Sequence, residues 1–317
     1  MEGRLIIVPR NGTHTAPIFL SGTARRCILV IGSQSEGLFD TPYAAELADA
    51  LKGKWAVAQV MLGSSLAGRR VSSHEADADD VDAALAVLVK DYEMSEVVLY
   101  ASGTGVQIAL EVMASAPRAE VVTRLVLQGG IVPPQSSKLF SAEESKHRVE
   151  VARVLIAEQR GDNAAAMAHV YDMTVTPARL SRNATLTVQE ALWQPVLGDS
   201  ESTCKQTLHG VTVPTLFLLS TESSYTASAQ SALPAVQRVA TETTGLTSED
   251  VQIALIPSTI DEHRRVLKGN ASLAVKMVDD FLRKADARRE QREASAAAVA
   301  AKEERKKRLG QVKALCT

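Results

Sequence analysis

Five consecutive residues, Ala101-Ser102-Gly103-Thr104-Gly105, stand where acyl-transfer chemistry is commonly built. They follow an apolar run, Glu96-Val97-Val98-Leu99-Tyr100, and precede a segment of helical pattern from Val106 to Ala116 that stops before Pro117. A strand, a tight turn of small residues and a helix form the setting of a G-x-S-x-G turn, in which a strained bend lifts the central side chain above the sheet. In this frame Ala101 and Gly105 are the small flanking residues and Gly103 takes the centre. Glycine has no side chain with which to attack a carbonyl. Ser102 is the fallback nucleophile, but it precedes the apex and its side chain is expected to point away from it. Loss of the nucleophile from a serine triad costs on the order of 10⁶ in turnover and leaves ~10³–10⁴ over water. That remainder is not a useful rate for an ester or amide.

Other residues offer weaker chemistry. Gly32-Ser33 follows an apolar run and can present a backbone amide of oxyanion-hole type, although a strand-exit glycine is the simpler role. No G-x-G-x-x-G follows the first apolar run and no G-x-x-x-x-G-K-[ST] occurs, so nucleotide binding is not indicated. Asp77, Asp79, Asp80 and Asp82 cluster early in a helical pattern, without the glycine and terminal glutamate of a calcium loop. They are expected to form a solvated helix face. The histidines at 14, 74, 147, 169 and 209 have no H-x₃-H spacing. No metal and no cofactor is expected.

The elements that must position these residues alternate. Arg26–Gly32, Trp55–Val60, Glu96–Tyr100, Arg124–Gly130, Pro214–Leu219 and Val251–Ile256 read as strands of continuous apolar character, which suits a mostly parallel sheet covered on both faces. Pro42–Leu51, a capped segment from Ser72 to about Val89, Val106–Ala116 and Ala271–Leu282 read as helices. This is the order of an α/β domain. Residues 139–208 interrupt it with helical segments, Ala142–Gln159 and Ala164–Tyr171 among them, and read as a cap inserted over the sheet edge.

With these motifs in view, the chain resembles a fungal-type α/β-hydrolase family related to siderophore esterases, over about residues 20–285. The resemblance rests on Gly32, Glu36-Gly37-Leu38, Pro42-Tyr43, Ser64-Ser65-Leu66-Ala67-Gly68 and Ser102-Gly103-Thr104-Gly105-Val106-Gln107, in that order and spacing. It implies an α/β-hydrolase-like sheet sandwiched by helices. It also places the family's catalytic positions at Gly103, Ser223 and His263. The serine is thereby absent, the acid is lost or displaced to Glu222, and the histidine is kept.

Composition bounds the partners. The chain has 317 residues, 45% hydrophobic and 23% charged, with only 4% aromatic, so stacking platforms for nucleic acid are not expected. Lys and Arg number 35 against 37 Asp and Glu. The three cysteines, Cys27, Cys204 and Cys316, are widely spaced and fit a reducing compartment. No apolar run is long enough to span a membrane and no signal-peptide pattern opens the chain, so a cytoplasmic location is expected. Residues 283–317 carry a net charge of +6, which leaves −8 for residues 1–282 against the chain total of −2. This tail is rich in Ala, Glu, Lys and Arg and reads as a basic helical extension. Arg288, Arg289, Arg292, Lys302, Arg305, Lys306, Lys307 and Arg308 are its candidate contacts to an acidic protein surface.

The leading expectation is a catalytically inactive hydrolase-fold protein serving as a structural or interaction subunit of a larger assembly. A cytoskeletal home is the preferred form of it, with tubulin of a ciliary or flagellar microtubule as the acidic surface. One alternative is a serine-type hydrolase of small esters or thioesters with a displaced nucleophile, using His263 as base and Glu222 or Asp261 to orient it. Another is a small-molecule binding protein that keeps a pocket under the cap.

Overall fold

In a computed structural model, residues 1–9, 15–33, 36–41, 43–66, 72–129, 142–161, 177, 208, 210–220, 229–257 and 268–315 are described. They divide into two compact units, Met1–Lys276 and Met277–Thr317.

The first unit is built on one eight-stranded sheet. Its strands are β1 (Arg4–Pro9), β2 (Thr15–Ser21), β3 (Arg26–Ile31), β4 (Ala56–Val60), β5 (Glu96–Ser102), β6 (Val122–Gln128), β7 (Thr215–Ser220) and β8 (Val251–Ile256), in spatial order β1-β2-β4-β3-β5-β6-β7-β8. From β4 to β8 every pairing is parallel, whereas β1 with β2 and β2 with β4 are antiparallel. The described helices are α1 (Ala44–Ala50), α2 (His74–Lys90), α3 (Gly105–Ser115), α4 (Ala142–Ala157), α5 (Ala229–Thr244) and α6 (Lys268–Leu315).

The apolar strands β3 to β7 are buried on both faces, as parallel strands between helix layers must be, while β8 at the edge is half-buried along its middle. Cys27, Leu29, Ile31, Val97, Leu99, Ala101, Leu125, Leu127, Phe217 and Leu219 share one core with α2, α3 and α5. Val81, Leu85 and Leu88 from α2 join it, with Val106, Ala109 and Leu110 from α3 and Val236 and Ala240 from α5. The alternate residues Ile28, Val30, Val98, Tyr100 and Val126 face the other way and are also buried. On that side Tyr43 and Tyr100 bring their rings to 5.4 Å, which ties the entry to α1 to the central strand.

Two devices fix the ends of these elements. Ser73 caps α2 by accepting from the Ala76 amide at 3.1 Å, one of the donors a helix start leaves without a partner. At the amino ends of β3, β5 and β6, the buried Glu96 carboxylate accepts from Arg26 Nε at 2.9 Å, from Thr123 Oγ1 at 3.0 Å and from the Arg124 guanidinium. The Arg26 guanidinium also lies over the Trp55 ring, 3.9 Å from its centroid. Three strands are thus pinned in register by one carboxylate.

The acidic start of α2 is a solvated face only in part: Asp79 is exposed and Asp82 half-buried. Asp77 and Asp80 are fully buried. Asp77 accepts from Ser64 N at 2.9 Å and Ser72 Oγ at 2.8 Å, and Asp80 accepts from Gly63 N at 2.7 Å. They supply partners to the amides of the turn after β4, which would otherwise be buried without any. Of the expected cap, α4 lies among the described residues; Ala164–Tyr171 and most of 139–208 lie outside them.

In the second unit, Val278, Phe281, Leu282 and Ala285 of α6 recur at helical spacing and form one apolar stripe. Residues 289–303 are exposed at every position. No helix among the described residues is long and apolar enough to cross a membrane.

Candidate active site

The site is built where β5 gives way to α3. β5 runs between β3 and β6, with Ala101 opposite Ile31 and Ser102 opposite Gln128. The chain then turns through Gly103, whose φ is +56°. This left-handed value is costly for residues with a Cβ and free for glycine. The Gly103 amide donates to the Gln128 carbonyl at 3.2 Å, and the Gly103 carbonyl accepts from Val106 N at 3.2 Å as the helix begins. Gly105 is required by space: a Cβ there would lie 2.5 Å from the Ile31 carbonyl oxygen and 2.6 Å from that of Gly32. The bend, the left-handed apex and the close approach of helix to neighbouring strand are those of a nucleophile turn.

The apex has an occupant from another loop. A Cβ built on Gly103 would fall 1.8 Å from Ser33 Oγ and 3.1 Å from Ser33 Cβ. The Ser33 hydroxyl therefore fills the space that a side chain at the apex would take, and it donates to the Ser102 carbonyl at 3.2 Å. The Ser33 amide, the candidate oxyanion donor beside Gly32, donates instead to Glu36 Oε2 at 2.8 Å. Thr41 Oγ1 approaches the same Glu36 oxygen at 3.4 Å. An amide already aimed at a carboxylate is not free for a developing oxyanion, and the carboxylate's charge opposes one.

Ser102 ends β5 on the strand face that also carries Tyr100. It is 8% exposed, and it neighbours the Tyr43 phenol, whose ring packs against that of Tyr100. The Tyr100 hydroxyl donates to Gln128 Oε1 at 2.6 Å. Burial raises both phenols well above the ordinary tyrosine range; the neighbouring Tyr43 adds to the rise at Tyr100. Both stay protonated at neutral pH and act as structural hydrogen-bonding groups beneath the turn. Tyr43 stands in the quoted Pro42-Tyr43 pair, but nothing in the pattern announces its buried place beside Ser102. Ser33 as the occupant of the apex is likewise invisible in sequence, because it depends on how the β3 and β5 exits converge.

Ser223 and Glu222 follow β7, and His263 and Asp261 follow β8; all four lie outside the described residues. Of the basic candidates, Arg289, Arg292 and Lys302 are exposed on α6 and Arg288 is half-buried. Arg305, Lys306, Lys307 and Arg308 lie on the same helix. Among the described residues, no group of three or more His, Cys, Asp or Glu could hold a metal ion. A groove of about 500 Å³ lined by Val8, Asp79, Asp82, Val87 and Arg118 shares no residue with the turn.

The sheet order, the left-handed turn after the central strand and the flanking helices define the α/β-hydrolase fold. A solved structure titled "Alpha/Beta hydrolase fold protein of unknown function" agrees: it is 32% identical, covers 92% of this chain and 98% of its own, and superposes with a TM-score of 0.74. The chain belongs to the family described as "Protein of unknown function (DUF1749)", which matches residues 14–283. More distant structures share the fold. The siderophore hydrolase EstB from Aspergillus fumigatus is 14% identical, with coverage of 90% of this chain and 98% of its own and a TM-score of 0.58. A soluble variant of monoglyceride lipase from Saccharomyces cerevisiae is 11% identical, with coverage of 89% and 95% and a TM-score of 0.54. Comparison with curated proteins finds no significant match.

Proposed function

We propose that this chain is an α/β-hydrolase-fold protein that carries no ester-cleaving nucleophile at its elbow and works as an interaction subunit. The observation that carries this reading is the apex itself: Gly103 at φ +56°, with the Ser33 hydroxyl in the place of its missing side chain. The occupied Ser33 amide supports it further, since the charge stabilisation an acyl transfer needs is already committed to Glu36. The contact surface in this reading is the exposed basic stretch of α6, and its partner is an acidic protein surface. The comparisons lend no support to tubulin, a microtubule or a cilium, and the proposal does without them.

A second reading, a serine-type hydrolase of small esters or thioesters with a displaced nucleophile, has its own support. The Ser33 hydroxyl lies at the elbow apex, and the distant neighbours include proteins titled as a siderophore hydrolase and a monoglyceride lipase. As likenesses of fold they support a hydrolase more than a cytoskeletal part. Turnover of p-nitrophenyl acetate and butyrate, and of a short acyl thioester, separates the two readings. The interaction reading predicts rates equal to those of the Ser33→Ala and Ser102→Ala variants and of buffer. Saturable turnover abolished by Ser33→Ala establishes the second reading instead.

A further inference from the structure

Edge strand β1 is apolar on both faces. Ile6 and Val8 enter the core, whereas Leu5 and Ile7 are 59% and 56% exposed. Opposite them on β2 stand Phe19 and Pro17, both half-buried. The Phe39 ring packs edge-on against Phe19 at 4.7 Å. Phe39 is itself 58% exposed and held at φ +71°, a strained conformation for a bulky residue. Leu5, Ile7, Pro17, Phe19 and Phe39 thus join the sheet edge to the turn that leads into α1. β1 also ends the eight-stranded sheet, so alternate backbone N–H and C=O groups along its outer side face away from β2. Natural edges are blunted by charged side chains, prolines, bulges or a covering element. β1 carries such residues only at its two ends, Arg4 and Pro9, and the four between them, Leu5 to Val8, are all apolar.

The groups left open on a strand edge are those another strand satisfies, and the sequence of β1 matches itself. Paired antiparallel about Ile6, two copies set Leu5 of each opposite Ile7 of the other on the exposed face. Arg4 then falls opposite Val8, so the strand's one charge meets no like charge. The same two-fold axis brings the two Phe39–Phe19 patches onto one side of a continuous sheet, a self-complementary surface of the isologous kind. We propose that this chain forms a two-fold dimer through antiparallel pairing of β1 with β1 of a second copy, flanked by the Leu5 and Ile7 side chains. The dimer stands apart from the elbow and from the function proposed for it.

The test is sedimentation of the full chain from low to high micromolar concentration, beside Leu5→Lys and Ile7→Lys. The native chain is expected to dimerise, and each lysine to raise the dissociation constant at least tenfold with unchanged circular dichroism and melting. Hydrogen exchange on the native chain gives a second measurement: the β1 amides slow as concentration rises. A native chain that stays monomeric overturns the proposal. So does a dimer whose dissociation constant neither lysine moves. If both variants fail to fold, exchange at β1 that does not vary with concentration overturns it as well.

Discussion

Substituting Gly103→Ala puts a single carbon where the structure has the least room for one. The new Cβ meets two costs. One is the backbone: at φ +56° a residue with a Cβ loses about 1–2 kcal/mol. The other is Ser33, whose Oγ lies 1.8 Å from the new atom and has to rotate away. That breaks its hydrogen bond to the Ser102 carbonyl, worth about 1 kcal/mol. Ser33 Cβ, at 3.1 Å, must also give by a few tenths of an ångström. Together the substitution should destabilise the fold by about 2–4 kcal/mol. The two costs separate in a double-mutant cycle with Ser33→Ala, read by urea denaturation. Ser33→Ala alone should cost about 1 kcal/mol for the lost hydrogen bond. In that background Gly103→Ala should cost its backbone term and the crowding of the retained Cβ at position 33, leaving a coupling of about 1 kcal/mol between the positions. Additivity within about 0.5 kcal/mol refutes the reasoning, because the Ser33 hydroxyl would then not occupy the apex.

Three further outcomes follow from the same structure. Glu96→Ala removes the carboxylate that pairs with the buried Arg124 and takes one partner each from Arg26 and Thr123, and should cost about 3–5 kcal/mol in the same denaturation assay. Ser73→Ala removes the cap of α2 and should cost about 1 kcal/mol, which the denaturation midpoint also reads. Burial pushes the Cys27 thiol up to about 12, so the folded chain keeps a proton that the unfolded chain releases. Its stabilising contribution is complete below the ordinary thiol value of about 8.5 and is lost progressively as pH climbs toward the folded value. Denaturation midpoints across alkaline pH should therefore fall, and fall less steeply for Cys27→Ala.

How much of this was legible in the sequence depends on the range of the interaction. The apolar runs at β3 to β8 mark themselves because a strand covered on both faces is apolar along most of its length. The glycines of the elbow are equally plain, since Gly103 and Gly105 answer to local backbone demands. The hairpin of β1 and β2 escaped because its residues lie outside the strand–helix alternation and pair antiparallel at the sheet edge. α5 escaped because Pro234 sits in a polar-looking stretch, Ala229–Thr244. The acidic start of α2 was misread for a physical reason: helical spacing shows which residues share a face, while burial of Asp77 and Asp80 depends on the amides of a turn brought in from β4. The contact of Ser33 with the apex is of the same long-range kind, joining residues 33 and 103 through two neighbouring strands.

The most direct test of an elbow without a nucleophile is to treat the full chain with a fluorophosphonate, which labels activated serine nucleophiles, and weigh it intact by mass spectrometry. The account predicts unmodified mass after prolonged exposure, under conditions that fully label a working serine hydrolase. A single stoichiometric adduct, mapped to the peptide carrying Ser33 or Ser102, would contradict it.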